Sequence, residues 1–378
     1  MRLVFFNSST GIGGAEILNI RLALHCMEYG YETLMILPKD SYTSSKVEGI
    51  VPRCFIEDGL ITLKKGDVLI APLSYADDLG RWFEKSKARV LFWSIHSKNF
   101  FLRPRILGRL CKYSDLLCKY MAKLLLSKKY SRRRSFLQLI SDNNSVCFMD
   151  SGNNNSLNQF YNLNIPDTFL PIPITLNKFD KGSVNKGKIS LAWVGRIDES
   201  YKYNSLSRIL TDLRVLNKDK KISMHVIGDG PGLKKIKSKF NDSFIKYHGV
   251  IDSENLNYFI IKNVDIGLSM GTAALEFAKC SIPVIALDTS YLGMRNYKYE
   301  WLHNKPRYNL GVMVHGWLYS GNNKLNLSEV IGQYCADPIG LSEKSYKHVK
   351  LNHDIKRVFP KLINLSKNAK MHLDKVIR

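Results

Sequence analysis

Arg196 and Lys202 lie six residues apart in Ala192-Trp-Val-Gly-Arg-Ile-Asp-Glu-Ser-Tyr-Lys202, directly after the apolar run Ile189 to Val194. Seventy residues later comes Thr272-Ala-Ala-Leu-Glu276. The first segment is a strand that breaks at Gly195 and then offers two cations. The second opens a helix and carries one carboxylate a turn inside it. This combination suits a nucleoside diphosphate. The cations would clamp the pyrophosphate, backbone N–H groups would take its outer oxygens, and Glu276 would accept from ribose hydroxyls. Arg196 could otherwise be a surface arginine at a strand end. Glu276, alone among apolar neighbours in Ala273-Ala-Leu-Glu-Phe-Ala, needs a partner, either a ligand or a salt bridge. His96 in Trp93-Ser-Ile-His-Ser97 stands at the carboxyl end of another apolar run. Gly13-Gly14 enters a helix either as a tight turn or as a phosphate or acceptor contact.

The elements that must hold these residues read as two similar halves. Leu3 to Phe6 is a strand, Gly11 to Gly14 a loop, Ala15 to Tyr29 a helix and Tyr31 to Leu37 a strand, a βαβ unit. Val68–Ala71, Val90–Trp93 and Val146–Met149 continue as short apolar strands, with a helical stretch expected near Ala76 to Lys85. Phe169 to Lys188, with two prolines followed by polar and glycine residues, reads as a linker. The pattern then restarts with strands Ile189–Val194, Ile222–Ile227, Phe244–Tyr247, Val264–Leu268 and Pro283–Ala286, alternating with helices. Short buried strands alternating with helices make a parallel sheet. The expected domains are 1–168, completed by a C-terminal helix at about 354–378, and 189–353. Ligands of such sheets bind at the carboxyl ends of the strands, which places the expected cleft between the halves.

Composition narrows the class. The 56 Lys and Arg against 33 Asp and Glu give +23 over 378 residues, an excess that attracts polyanions. The seven cysteines are scattered, with no C-x-x-C pair, so neither a zinc site nor a disulfide framework is suggested. No stretch approaches the roughly 18–20 apolar residues that span a bilayer. The expectation is a protein in a reducing compartment, soluble or peripheral.

Gly13-Gly14-Ala-Glu16, Val194-Gly-Arg-Ile-Asp-Glu-Ser-Tyr-Lys202, Val226-Ile-Gly-Asp-Gly-Pro231, His248-Gly249 and Leu275-Glu276 with Ile282-Pro-Val-Ile285 occur in order. The set resembles the retaining glycosyltransferases of family 4, which have the GT-B fold, two Rossmann-like domains facing a central cleft. The resemblance spans nearly the whole chain. It implies transfer of a sugar from a nucleotide-sugar with retention at the anomeric carbon. The nucleotide-sugar is a substrate, and neither cofactor nor metal is expected. The implied donor contacts are Gly13, Gly14, Arg196, Lys202, Val250, Met270, Gly271, Thr272, Ala273 and Glu276. His96 and Glu276 are the implied catalytic residues, with His96 positioning the sugar or acceptor. The departing phosphate can itself take the acceptor's proton, so the paired carboxylates of hydrolases are not required. The family's Glu, seven residues, Glu motif is incomplete. Glu276 matches the second glutamate, whereas position 268 holds leucine, and Tyr203 stands where a glycine usually follows the lysine.

Lys98 to Arg134 is basic and amphipathic, with one acid, Asp115, against cations that include Arg103, Arg105, Arg109, Lys112, Arg132, Arg133 and Arg134. Interleaved leucines and aromatics suit an anionic membrane surface better than nucleic acid, and no nucleic-acid partner is expected. A solvated helix packed on the sheet is the alternative. The combined expectation is a cytoplasmic enzyme, peripheral on the inner face of the cytoplasmic membrane. It would extend a lipid-linked glycan such as lipopolysaccharide, O-antigen or capsule. A nucleotide-sugar epimerase and a non-catalytic anionic-surface binding protein are the alternatives.

Overall fold

The computed structural model describes residues 1–11, 13–104, 111, 113–176, 187–219, 221–314 and 324–377. They form two compact units, Met1–Pro173 with Asp354–Arg378, and Ile174–His353.

The first unit is built on six parallel strands: β1 (Arg2–Phe6), β2 (Thr33–Leu37), β3 (Arg53–Phe55), β4 (Asp67–Pro72), β5 (Arg89–Ser94) and β6 (Val146–Phe148). Their order is β3-β2-β1-β4-β5-β6. The helices are α1 (Gly14–Glu28), α2 (Tyr42–Val47), α3 (Asp115–Leu125), α4 (Ser127–Asp142) and α5 (Ser151–Tyr161). Leu3 to Phe6 and Val90 to Trp93 are buried without alternation, as a sheet covered on both faces requires.

The helix expected near Ala76 to Lys85 is instead two 3-10 turns, Leu73–Tyr75 and Leu79–Arg81. Tyr75, Trp82 and Phe83 all pack their rings around Phe6, with centroids 5.0–5.5 Å away. Phe169 to Ile174 is also no free spacer. Leu170, Ile172 and Ile174 are buried, and Trp93 Nε1 donates to the Leu170 carbonyl at 3.0 Å.

The second unit carries β7 (Ile189–Val194), β8 (Ile222–Ile227), β9 (Ile245–Gly249), β10 (Ile266–Ser269) and β11 (Val284–Ala286), all parallel, in the order β11-β10-β7-β8-β9. Its helices are α6 (Tyr201–Leu216), α7 (Leu233–Lys239), α8 (Ser253–Asn263), α9 (Thr272–Lys279), α10 (Leu327–Ala336) and α11 (Pro338–Asn352). The chain then returns to the first unit as α12 (Ile355–Asn368) and α13 (Leu373–Val376). α12 lays Phe359 edge-on against His25 of α1, with ring centroids 4.9 Å apart. The strand-like turn before α13 hydrogen-bonds to β5 through Val90 N–H and the Met371 carbonyl.

Candidate functional site

The carboxyl ends of β7, β8 and β10 carry the predicted donor loops, and glycines let these loops touch. Gly195 N–H donates to the Ile227 carbonyl (3.0 Å), Ile197 N–H to Asp229 (2.9 Å) and Gly228 N–H to Gly249 (2.7 Å). Gly228 sits at φ 130°, and a Cβ there would lie 2.1 Å from the Gly195 carbonyl oxygen. Only glycine permits that approach. The Gly228-Asp-Gly-Pro231 segment is therefore a buttress for the Arg196 loop.

Asp198 shapes the loop between the two cations. Its Oδ1 accepts from Ser200 N–H (2.8 Å), Ser200 Oγ (3.0 Å) and Lys202 N–H (3.3 Å). Its Oδ2 is buried without a hydrogen-bond partner. Such side-chain-to-backbone bonding is how aspartate sets a turn into a helix. The Asp-x-Ser spacing carried this signal in the sequence, where only Arg196 and Lys202 stood out. Arg196 is exposed and Lys202 half-buried. Burial holds the Lys202 ammonium below its ordinary range, with Asp198 opposing and Arg196 adding to the effect. An arriving diphosphate would relieve the repulsion between the two cations.

β10 is paired to β7, and Ser269 Oγ donates to the Val194 carbonyl at 2.7 Å. Leu268 is fully buried in that strand. Met270 follows, then Gly271 at φ 59°, whose N–H donates to Leu310. Gly271 N-caps α9 with no side-chain cap, and Thr272 and Ala273 are half-buried at the helix start. An uncapped N-terminus directs donor amides and the positive end of the helix dipole at whatever binds there. Glu276, 15% exposed, forms an ion pair with Lys279 one turn on. Val250, beyond Gly249, is exposed.

The remaining predicted residues lie in the first unit. Gly13 N-caps α1 in extended backbone that any residue adopts, and Gly14 is the first helical residue. A Cβ on Gly13 would meet only the Glu16 carboxylate, 2.6 Å away and the movable end of a side chain. His96 is exposed and heads a 3-10 turn, Ser97–Phe100, after β5.

The basic residues divide. Arg105, Arg109 and Lys112 lie outside the described residues. Arg103 is half-buried. Arg133 holds both Asp77 (2.7 Å) and the Phe100 carbonyl (2.8 Å), and Arg134 donates to the Tyr161 carbonyl (3.1 Å). Arg132 is exposed and lies 3.7 Å from Asp77. α3 instead presents apolar residues to solvent at helical spacing: Leu116, Leu117, Tyr120, Leu124 and Leu125. No described helix is long and apolar enough to cross a membrane.

No family model matches the chain, and no curated protein matches it in sequence. Solved structures do match its fold. HepE from Anabaena in complex with UDP-glucose aligns with a TM-score of 0.59 at 12% identity, over 97% of this chain and 100% of that one. The lipopolysaccharide outer core galactosyltransferase WaaB aligns at 0.57 and 12%, over 97% and 99%. WaaG, a glycosyltransferase involved in lipopolysaccharide biosynthesis, aligns at 0.53 and 12%, over 96% and 99%. The fold is GT-B. The chain's described residues form two Rossmann-like domains, with sheets of six and five parallel strands.

Proposed function

We propose that this protein is a glycosyltransferase that moves a sugar from a nucleotide-sugar to an acceptor. One arrangement carries the reading. The Arg196–Lys202 loop, shaped by Asp198, stands at the end of β7 beside the uncapped start of α9 at the end of β10. Two cations and a helix N-terminus on neighbouring strands form an electrostatic cradle for a diphosphate leaving group. HepE, of the same fold, binds UDP-glucose, which supports this use of the fold.

In this reading Arg196 and Lys202 neutralise the diphosphate as charge builds on it. The amides of Thr272 and Ala273 take its oxygens, and Glu276 accepts from the ribose hydroxyls. Met270, Gly271 and Val250 line the donor site. Leu268 has no polar group to offer, so the sugar hydroxyls fall to the backbone around Met270 to Ala273. The sequence resemblance assigns Gly13 and Gly14 to the donor and His96 to the sugar or acceptor. Retention, family 4 membership and independence from metal follow from the sequence resemblance. The leaving phosphate then takes the acceptor's proton.

A lipid-linked surface glycan is the proposed acceptor, supported by the part WaaB and WaaG play in lipopolysaccharide synthesis. An acceptor in a membrane calls for contact with its surface, and the leucine-bearing face of α3 supplies an apolar element for it. The protein would then work at the inner face of the cytoplasmic membrane.

The test is UDP and a panel of UDP-sugars. Binding to the folded state raises Tm by mass action. A rise with UDP that Arg196→Ala abolishes, with sugar transfer to a lipid-extracted acceptor, supports the proposal. Binding without hydrolysis or transfer across the panel would favour the non-catalytic reading. No binding of UDP or of any UDP-sugar would count against this donor site.

A further inference from the structure

The face of the second sheet beneath α8 is polar where a doubly wound sheet ordinarily buries Val, Ile and Leu. Ser190 of β7 lies opposite Ser223 of β8, and His225 of β8 lies opposite Lys246 of β9. The two serine hydroxyls are 2.8 Å apart. His225 Nδ1 is 2.9 Å from His248 Nε2, and the stacked pair packs edge-on against Phe259 of α8. The paired hydroxyls and the paired imidazoles satisfy one another, and Lys246 stays exposed.

Ser190, Ser223, His225 and Lys246 line a cavity of about 240 Å³ together with Lys188, Ser243, Phe244 and Asn263, and His248 stands behind His225. It opens near the amino ends of β7, β8 and β9, the end of the sheet opposite to the Arg196 and Gly271 loops. His225, 7% exposed, forms part of its wall, and exposed Lys188 and Lys246 stand at its rim. Among the described residues no carboxylate lines it. Asp265, which accepts from Ser190 N–H (2.9 Å), is turned to the Tyr334 hydroxyl (3.1 Å).

We propose that this cavity binds a phosphate-sized oxyanion. Two ammonium groups, hydroxyl donors, an amide and an imidazole that can take a proton form a cation-biased, donor-rich wall. The volume lies below the roughly 300 Å³ at which pockets for larger organic ligands begin, which selects a small ion over a nucleotide. Burial, then His248 and Lys246, keeps His225 neutral, its pKa lowered to about 4. A bound dianion reverses that balance, so binding and protonation of the histidine pair are coupled.

The experiment follows the histidine Cε1 proton resonances between pH 5 and 8 as inorganic phosphate replaces chloride at constant ionic strength. The expected result is a saturable shift of His225 and His248, assigned with H225Q and H248Q, and a rise in the His225 pKa. Lys188→Gln with Lys246→Gln should weaken the apparent affinity by more than about tenfold, because two charge-assisted contacts go. Arg196→Ala should leave the shift intact, which separates this site from the proposed donor loops whether or not those bind UDP. No saturable shift, an equal shift in the double glutamine variant, or a shift lost in Arg196→Ala would each overturn the proposal.

Discussion

Replacing Leu116 and Leu124 together by serine tests the membrane role of α3. These side chains keep 61% and 76% of their surface exposed, and Tyr120 between them keeps 60%. Burying a whole leucine side chain is worth about 1.5–3 kcal/mol. Scaled by exposure, each leucine would contribute about 1–2 kcal/mol on entering the headgroup boundary. The double variant should therefore partition onto vesicles about 3 kcal/mol less favourably, on the order of 100-fold. Folding should be nearly unaffected, since exposed substitutions usually stay within about ±0.5 kcal/mol. Co-sedimentation with vesicles containing 30 mol% anionic lipid (roughly a cytoplasmic-leaflet charge) reads the effect. Salt separates the contributions. Attraction through cations fades as the Debye length falls from about 10 Å at 0.1 M to about 3 Å at 1 M, whereas the leucine contribution persists. Equal partitioning of variant and parent at high salt would refute the reasoning. Charge reversal at Arg133 is a poorer test, because it also breaks the bonds to Asp77 and Phe100.

Arg196→Ala and Lys202→Ala should each weaken UDP binding by about 1.5–3 kcal/mol in calorimetry, and unchanged affinity in both would move the diphosphate elsewhere. Glu276→Gln should lose nucleotide affinity and discriminate 2′-deoxy-UDP from UDP less well than the parent does, a comparison a purely structural ion pair would not alter. Gly228→Ala should cost well over about 1 kcal/mol in urea unfolding, from positive φ and a backbone clash, while Gly13→Ala, meeting only a movable carboxylate, should be near neutral. Stability should also fall with acid. Burial is the leading cause that lowers His225, His303 and His348 to about 4, with His248 and Lys246, Lys344, and His303 as the respective next causes. The unfolded chain then takes up these protons first, so stability is full above about pH 6.5 and declines toward pH 4. Each histidine adds a slope of up to about 1.4 kcal/mol per pH unit, and Asp150, pushed up to about 6 by burial, opposes one of them. Urea midpoints that stay flat from pH 7 to 5 would contradict this.

The sheets were legible because their strands are unbroken apolar runs. Ile189–Val194 and Ile222–Ile227 form as read, since burial on both faces leaves no other use for such segments. Arg196, Lys202 and Glu276 stand out in the sequence because a charge beside an apolar run has few structural uses. The order of loops and motifs indicated GT-B before any coordinates, and the described residues have that fold. What sequence spacing could not supply was the partner of each side chain. Arg132, Arg133 and Arg134 look alike in the chain, yet Asp77, Phe100 and Tyr161, far off in sequence, tie down two of them. Glu276 reads as a lone acid, but one helical turn brings Lys279 to it. The same limit hid Asp198 as the shaper of the cation loop and the polar sheet face around His225. Periodicity records which residues want burial. Which of them find it, and beside what, is decided by contacts between segments that only the folded chain brings together.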